Sequence, residues 1–387
     1  MNNILIVAYF FPPYSQVGSF RITKLVKYFK KFGWNITVIT VDDIYYDKND
    51  TNKHMLSDIS NDVKVIKTKR IKKKLFIREE GVYWIKDLYI TLKKELKSKK
   101  YNYVFYTAGP FLHLPIATII KKISKVPYII DYRDPWLLGS YVKSKKFKKI
   151  ASLLEPKLIK NAEYVINVTE PATKMYRDFY NQYSNKFITV ENGYDKDDFK
   201  DITAIRDKNY DTLIVYSGKL GGFRNIIPFL NSLRNFNKFN EKKMYFMHIG
   251  KEEEIITEYI NQNKDINKYI ILKGFLPYKK ALQYIKGSDL CLIIGGGHPY
   301  EPTTKIYDYI ALNKPILCIN DIEYGYLYDT LKNYNCTEYV RNNTFDITSS
   351  IEKLNRKICY DNKKNNSLKY TRENIFRNLS NMLLNNK

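Results

Sequence analysis

The chain opens with a strand–loop–helix–strand pattern that leaves few folds open to it. Residues 3–9, NILIVAY, form a continuous apolar run of strand length, as in a strand that is buried on both faces. After the loop FFPPYSQVGS, apolar residues recur at helical spacing from Ile22 to Phe32, and Gly33 is a good helix terminator. The strand-like segment WNITVITV follows. A strand, a crossover helix and a second strand imply parallel pairing with a right-handed connection.

The same alternation runs through the rest of the chain. Strand-like segments of the first half are NYVFYTA, VPYIIDY, EYVINVT and KFITVEN. Residues 194–211 are polar and aperiodic, which is typical of a linker, and the rhythm then restarts with TLIVYSG, KMYFMHIG, YIILKGF, DLCLIIG and KPILCI. The sequence therefore predicts an α/β fold of two Rossmann-like domains that face each other across a cleft. We expect the domains at 1–200 and 201–365, and a helix within 366–387 that packs back toward the N-terminal domain.

The chain is strongly basic, with 65 Lys and Arg against 40 Asp and Glu, a net charge of +25. The charge is clustered in the first half, in the segments KTKRIKKKLF, KKELKSKK and KSKKFKK. One interpretation is a solvated surface in a lysine-rich composition, and another is a face that contacts anionic lipid headgroups. Nucleic acid is a third possible partner, but no nucleic-acid-binding motif accompanies the charge, and we expect none to bind.

Metal and membrane signals are weak. Four cysteines without a C-x-x-C pair and four scattered histidines give no zinc spacing, so we expect a reduced protein without a metal or other cofactor. The first residues lack a basic region and a cleavage site, and the most apolar stretch is interrupted by Gly109, Pro110, His113 and Pro115. We therefore expect a cytoplasmic protein with no secretion signal and no membrane-spanning helix.

Two loops that follow strands could hold a phosphate, because ligands of open α/β sheets bind beyond the carboxyl ends of the strands. In PPYSQVGSFR, Gly18 and Ser19 are expected just before a helix, where backbone N–H groups favour an anion; an unremarkable loop with a Ser cap is the alternative. In SGKLGGFRN, three glycines permit close backbone approach and two cations accompany them; the set is Gly218, Gly221, Gly222, Lys219 and Arg224. Solvated charges on a flexible loop are the alternative there.

The segment GGGHPYEPTTKIYDYIALNKPIL carries the third candidate loop. Its glycines end a strand, and Thr303 or Thr304 could cap a helix. That helix would carry Lys305 and Asp308 three residues apart, on one face near its start. Lys305 could reach a phosphate and Asp308 could accept hydrogen bonds from ribose hydroxyls.

Two further candidates lie in the first half. In DYRDPW, Arg133 stands between Asp131 and Asp134 at the end of a strand. This loop is either part of an acceptor site or a salt-bridged structural corner. His113 is expected at the start of a helix, where it is either structural or catalytic.

With these segments in hand, the chain resembles the retaining glycosyltransferases of the GT-B fold, specifically family 4. It is most similar to the subgroup that builds bacterial capsule and O-antigen polysaccharides. The resemblance covers essentially the whole chain and depends on the order and spacing of six segments: AYFFPPYSQVGSFR, TAGPFLH, IIDYRDPW, VENGYD, LIVYSGKLGG and KIYDYIALNKPIL.

The resemblance implies roles for individual residues. Gly18 would pack beside the donor diphosphate and His113 would contact the donor sugar. Lys219 and Arg224 would hold the phosphates, and Asp308 would match the family's ribose-binding glutamate. Where the family often has another glutamate, this chain has Tyr300, and we expect the neighbouring Glu301 to act there. The nucleotide-binding set would also include Ser19, Gly218, Gly274, Phe275, Thr304 and Lys305.

The sequence thus predicts a hexosyltransferase that uses a nucleoside diphosphate sugar, UDP-linked by preference, with retention of configuration. The acceptor would be a saccharide, typically lipid-linked, at the inner face of the cytoplasmic membrane. Two alternatives stay open: a non-hydrolysing nucleotide-sugar epimerase, which shares the fold, and a non-enzymatic basic protein that binds membrane or nucleic acid.

Overall fold

The computed structural model describes residues 2–15, 17–48, 51, 53–72, 79–139, 144–220, 224–301, 303–334, 337–356 and 367–385. Parts of the first and third basic segments, together with Cys336 and Cys359, lie outside these residues.

The chain divides into two compact units. The first consists of Met1–Asn192 and Arg372–Lys387, and the second of Gly193–Thr371. The boundaries expected from the sequence were 200/201 and 365/366, and the chain passes between the units at 192/193 and 371/372.

The first unit is built on a parallel sheet of seven described strands in the order β3-β2-β1-β4-β5-β6-β7. The strands are β1 (Asn2–Val7), β2 (Trp34–Val41), β3 (Lys64–Thr68), β4 (Tyr103–Thr107), β5 (Tyr128–Tyr132), β6 (Tyr164–Asn167) and β7 (Phe187–Thr189). The helices are α1 (Val17–Lys31), α2 (Gly81–Ser98), α3 (Ile116–Ser124), α4 (Lys145–Asn161), α5 (Glu170–Phe179) and, from the end of the chain, α12 (Arg372–Asn385).

The apolar run of β1 explains why this sheet has helices on both faces. Side chains alternate along a strand, and Leu5 and Val7 pack into one core while Ile4 and Ile6 pack into the other. The first core takes its helical residues from α2, α3, α4 and α5, and the second from α1 and α12. A strand buried on both sides is typical of a parallel sheet in an α/β domain.

The second unit repeats this plan with six described strands in the order β10-β9-β8-β11-β12-β13, all parallel. They are β8 (Thr212–Ser217), β9 (Met244–Ile249), β10 (Ile270–Leu272), β11 (Leu290–Ile294), β12 (Ile316–Ile319) and β13 (Thr337–Val340). The helices are α6 (Ile227–Phe239), α7 (Glu254–Gln262), α8 (Tyr278–Gly287), α9 (Lys305–Ala311), α10 (Tyr326–Leu331) and α11 (Thr344–Arg356).

The last helix, α12, belongs to the first unit. It packs against α1, and Phe376, Leu379 and Leu383 are buried in the core beneath. The indole of Trp34 donates a hydrogen bond to Ser380 Oγ at 2.8 Å. The final segment of the chain therefore completes a core that begins with the first strand.

Some elements differ from the sequence prediction. Strands β3 and β13 were not predicted from the sequence pattern; they lie at sheet edges and mix polar and apolar residues. Helix α3 begins at Ile116, so His113 lies in the preceding turn and not at the helix start, which corrects that expectation. Among the described residues, no helix is both long and apolar enough to span a bilayer.

We predict that Phe376→Ala lowers the free energy of unfolding of the first unit by about 3 to 5 kcal/mol, because it leaves a cavity in a closed core. All three tryptophans of the chain lie in this unit, so tryptophan fluorescence during guanidinium denaturation reports its unfolding selectively. The control is Ile44→Ala, at a site that is 77% exposed in the same unit, which should stay within about 0.5 kcal/mol of the wild type. Equal stability of the two variants would show that α12 is not part of this core.

Candidate functional site

In the second unit, three glycines lie just beyond the carboxyl ends of the neighbouring strands β8, β9 and β10. The N–H of Gly218 donates to Ile249 O at 2.7 Å, and the N–H of Gly250 donates to Gly274 O at 3.0 Å. Gly218 and Gly274 have positive φ angles of 109° and 68°, which side chains disfavour. A Cβ at Gly250 would lie 2.6 Å from the Gly218 carbonyl oxygen. This edge of the sheet is therefore open backbone that a ligand can approach closely.

Lys305, the first residue of α9, is the central cation of this edge. Its ammonium lies 3.7 Å from the ring centroid of Tyr216 and beside Gly218. Burial is the largest cause that holds the pKa of Lys305 well below its ordinary value, and the nearby charge of Arg224 acts in the same direction. The carboxylates of Glu301 and Asp308 oppose the shift, but Lys305 forms an ion pair with neither across the part of the chain that the structure describes. Its charge is left for a ligand to compensate.

Arg224 and Glu301 form an ion pair next to Lys305, through Arg224 Nη2 and Glu301 Oε1. Glu301 is buried, and a side chain at Gly296 would overlap its Oε2. Arg224 Nε and Glu301 Oε2 are both buried without a hydrogen-bond partner among the described residues. Arg224 Nε could therefore donate, and Glu301 Oε2 could accept, a hydrogen bond from a ligand beside Lys305.

Asp308 lies one helical turn beyond Lys305. Its Oδ1 accepts a hydrogen bond from the hydroxyl of Tyr278 at 2.7 Å, and the side chain is half-buried. The Tyr278 contact fixes the orientation of the carboxylate on α9. An ionised carboxyl group has about four lone-pair sites, so the Tyr278 hydrogen bond is one of several that such a group can accept.

His248, at the end of β9, was not among the residues selected from the sequence. Its Nε2 lies 2.9 Å from the Gly218 carbonyl oxygen, and burial lowers the pKa of the imidazole. A neutral ring with a proton on Nε2 donates to that oxygen and fixes the turn after β8. The only sequence signal was its place at the end of a strand.

The remaining candidates of the second unit are more exposed. The side chain of Lys219 is exposed, and its carbonyl oxygen accepts from the hydroxyl of Tyr216 at 2.9 Å. Phe275 is 78% exposed next to Gly274. Thr304 occupies the N-cap of α9 without a side-chain capping bond, so the expected cap is not formed. Gly221 and Gly222 lie outside the described residues.

In the first unit, Gly18 and Ser19 lie within the first turn of α1, which begins at Val17, and not before the helix as the sequence suggested. Ser19 is fully buried and its hydroxyl donates to Tyr14 O at 2.6 Å. Ser19 therefore holds the preceding loop onto the helix.

Arg133 joins two segments of the first unit. Its guanidinium donates to the carbonyl oxygens of Ala108, Gly109 and Gly18. A side chain at Gly109 would overlap this guanidinium, and the residue has a φ of 80°. Arg133 thus joins the first turn of α1 to the loop after β4.

The two aspartates beside Arg133 have different surroundings. Asp131 is fully buried and pairs with Arg21 at 2.8 Å, whereas Asp134 is exposed. Arg21 also donates to the carbonyl oxygen of Glu191 at 2.9 Å. The carboxylate of Asp131 is therefore already engaged with Arg21, which fits a structural corner better than the acceptor contact expected from the sequence.

His113 is fully buried in the first unit. It lies against Gly81, and its ring centroid is 5.3 Å from that of Trp84. Burial is the largest cause that lowers its pKa to about 3, so the imidazole is neutral near pH 7. The Pro110 carbonyl acts weakly in the opposite direction, but neither ring nitrogen reaches a hydrogen bond of normal geometry within the described residues.

Glu79, which sequence reasoning missed, fixes the loop that carries His113. Its carboxylate accepts from the backbone N–H groups of Leu112 at 3.1 Å and Gly81 at 3.0 Å, and also from Phe111. Burial is the main cause that raises the pKa of this carboxyl. Only the folded structure reveals the contact, because Glu79 lies more than 30 residues from the loop it holds.

The structure thus gathers the predicted residues into two sets. Gly218, Arg224, Glu301 and Lys305 form a cluster with Asp308 beside it in the second unit, and Gly18 and Arg133 meet in the first. Among the described residues, no three His, Cys, Asp or Glu side chains lie close enough together to hold a metal ion.

Comparison with solved structures identifies the architecture. The chain is similar to a glycosyltransferase from Rickettsia africae at 15% identity, over 100% of this chain and 99% of the other, with a TM-score of 0.69. It is similar to Anabaena HepE in complex with UDP at 11% identity over 100% of both chains, with a TM-score of 0.68. A putative UDP-N-acetylglucosamine 2-epimerase from Listeria monocytogenes matches at 10% identity over 97% and 94%, with a TM-score of 0.59.

These likenesses show the fold: the chain has the two Rossmann-like domains of the GT-B class. The sequence matches no family model and no curated protein.

We predict that Asp131→Asn lowers the free energy of unfolding of the first unit by about 3 to 5 kcal/mol, because Arg21 would keep a buried charge without its partner. Tryptophan fluorescence during denaturation measures the change. The matched control is Asp134→Asn at the exposed neighbour, with an effect within about 0.5 kcal/mol. If the Asp131→Asn protein is as stable as the wild type but has lost activity toward the acceptor, the sequence-based assignment of Asp131 to the acceptor site would be supported instead.

Proposed function

We propose that the protein is a glycosyltransferase that takes a sugar from a nucleoside diphosphate sugar, UDP-linked by preference. The observation that carries this proposal is the half-buried ammonium of Lys305, which has no ion-pair partner among the described residues and lies beside Gly218. A diphosphate supplies the missing charge, and the open backbone at the strand ends lets it approach. The likeness to HepE bound to UDP supports the same ligand class.

The other residues of the cluster take roles around the diphosphate. Arg224 donates its free Nε to a phosphate oxygen, and exposed Lys219 reaches the phosphates from solvent. Glu301 accepts from a sugar hydroxyl through Oε2, which has no other partner among the described residues. Asp308 accepts from the ribose hydroxyls.

Three further residues complete the nucleotide-binding set. Gly274 and the exposed Phe275 lie at the same sheet edge as Gly218 and would contact the nucleotide. Thr304, with a hydroxyl that makes no capping bond, would bind next to Lys305.

Roles are also proposed for residues of the first unit. Gly18 and Ser19 would lie beside the diphosphate, and neutral His113 would contact the donor sugar once a rearrangement exposes it. Arg133 would act through the two segments that it joins.

In the proposed reaction, the bond between the anomeric carbon and the diphosphate oxygen breaks while the acceptor oxygen attacks from the same face. The leaving diphosphate takes the acceptor's proton, and Lys305 and Arg224 stabilise the charge that develops on it. The configuration at the anomeric carbon is retained. Lys305 and Arg224 would neutralise the leaving diphosphate, as a divalent metal ion does in other enzymes. We therefore propose a metal-independent enzyme of the retaining family 4 type.

The acceptor is proposed to be a lipid-linked saccharide in surface polysaccharide synthesis, such as that of a capsule or O-antigen. The enzyme would then work in the cytoplasm, peripherally bound to the inner membrane surface. The clustered lysines of the first unit support this location, since each is worth about 1 kcal/mol at an anionic surface.

A second candidate is a nucleotide-sugar epimerase, favoured by the likeness to the Listeria epimerase fold. Such an enzyme needs no acceptor. Conversion of a sugar nucleotide by the protein alone would therefore select this candidate, whereas turnover that requires an acceptor selects the transferase.

We predict that Lys305→Met weakens binding of UDP by about tenfold to a hundredfold, as expected for the loss of a charged hydrogen bond, and leaves binding of uridine unchanged. Because the ammonium is half-buried and forms no ion pair among the described residues, the ligand-free variant should melt at the wild-type temperature or above. Calorimetric titration and thermal melts measure the two effects.

The matched control for this variant is Lys238→Met, which removes an exposed lysine from α6 of the same unit. It should leave all three quantities unchanged. Wild-type affinity of Lys305→Met for UDP would contradict the proposed diphosphate site.

We predict that the product has the same anomeric configuration as the donor, and that a metal chelator leaves the transfer rate unchanged. Proton NMR of the product glycoside reads the configuration from the anomeric coupling. An inverted product would contradict the same-face reaction, and loss of activity that Mg²⁺ or Mn²⁺ restores would contradict metal independence.

A further inference from the structure

Five branched aliphatic side chains are exposed on three helices of the first unit. Their exposed fractions are 55% for Ile90 on α2, 52% and 49% for Ile119 and Ile123 on α3, and 37% and 62% for Ile150 and Leu153 on α4. Isolated exposed aliphatic residues are common, but a set of this size on adjacent helices is typical of a contact surface.

The three helices form one layer on the same side of the sheet. Helix α2 packs against α3, and α3 packs against α4. Lys121 on α3 donates to the carbonyl oxygen of Asn161 at the end of α4, at 2.8 Å. All three helices contribute to the same core cluster, so their opposite faces share one outer surface.

Exposed lysines surround the aliphatic residues on this outer surface, and on α4 they follow helical spacing. Lys146, Lys149, Leu153, Lys157 and Lys160 recur every three or four residues, on the side opposite buried Ala151 and Leu158. Further exposed lysines on the other two helices are Lys86, Lys93, Lys94, Lys97 and Lys122.

Two of the three acidic residues of the same helices are turned away from this surface. Glu155 on α4 is fully buried and accepts from the hydroxyls of Tyr176 and Tyr180. Glu95 on α2 is buried and pairs with Lys64. The third, Asp87 on α2, is partly exposed, so the exposed lysines of the three helices far outnumber the acidic side chains at this surface.

We propose that the outer surface of α2, α3 and α4, the lysine–aliphatic face, docks on an anionic lipid bilayer. This inference rests on the membrane part of the proposed function and names the surface that performs it. The lysines bind anionic headgroups, while Ile90, Ile119, Ile123, Ile150 and Leu153 enter the boundary between headgroups and acyl chains.

Two other occupants fit the face less well. Nucleic-acid surfaces use arginine and exposed aromatic rings for stacking, and the exposed residues described on these helices include neither. A second copy of the chain would bring two strongly positive faces together, which like-charge repulsion disfavours.

The test is co-sedimentation with vesicles, comparing phosphatidylcholine alone with a mixture of phosphatidylcholine and phosphatidylglycerol. The full chain should bind the anionic vesicles, and added salt should weaken binding. A variant with Lys146, Lys149, Lys157 and Lys160 all changed to Gln should bind at least about tenfold more weakly, since each lysine contributes about fivefold.

A second variant separates lipid contact from charge alone. Ile150→Ser with Leu153→Ser keeps every lysine and should still weaken vesicle binding several-fold. The matched control removes the same charge from exposed positions of the second unit, with Lys238, Lys242, Lys264 and Lys268 changed to Gln. It should bind vesicles like the wild type, and all variants should keep the UDP-dependent thermal shift.

Each outcome decides one part of the proposal. A wild-type chain that does not bind anionic vesicles overturns the membrane role as a whole. Wild-type binding that both α4 variants retain, or that the control loses equally, overturns this face but leaves membrane association standing. If an oligonucleotide binds this face, and the Ile150→Ser/Leu153→Ser variant co-sediments with anionic vesicles as the wild type does, the partner of the face is nucleic acid. Loss of UDP binding or of transfer with vesicle binding intact would count against the glycosyltransferase alone.

Discussion

Parallel pairing of strands that are buried on both faces is the constraint on which this structure depends. Parallel strands need crossover connections, and helices therefore cover both sides of each sheet. All strands of a sheet then end at one edge, where residues far apart in sequence meet. Gly218, Gly250 and Gly274 follow three different strands and are joined there by backbone hydrogen bonds. The site is thus a consequence of topology, to which side-chain chemistry is added.

Two uses of buried charge distinguish the two units. In the first, Arg21 and Asp131 compensate each other completely, and Glu155 is held by tyrosine hydroxyls. In the second, Lys305 is half-buried without an ion-pair partner in the described part of the chain, at a cost in stability. A fold can carry such a cost where ligand binding recovers it, since strain and imperfect pairing concentrate at functional sites. The Arg21–Asp131 ion pair therefore fits a structural role, whereas Lys305, which has no ion-pair partner among the described residues, fits the proposed ligand site.

Much of the fold could be predicted from the sequence, because the buried strands are continuous apolar runs such as NILIVAY and DLCLIIG. The edge strands KVIKT and TEYV could not, since both are only partly buried and mix polar with apolar residues. Gly218, Arg224 and Lys305 could be found because they follow predicted strands. Glu79 and the partnership of Arg21 with Asp131 could not, because the pair spans 110 residues and no local pattern encodes such contacts. The sequence also could not show burial: His113 follows a predicted strand, where a ligand contact is expected, but it is fully buried in the folded unit.

Composition alone could not separate a functional charge from a lysine-rich background, and the proposed membrane face is argued from where the charges lie. Random surface lysines would be interspersed with exposed acids, as on most soluble proteins. On α2, α3 and α4, Glu95 and Glu155 are instead buried among hydrogen-bond donors, and the described outward residues combine lysines with aliphatic side chains. Burying a carboxylate costs free energy that an exposed position would avoid. This distribution of charge supports the proposed contact with an anionic, partly apolar partner over a composition bias alone.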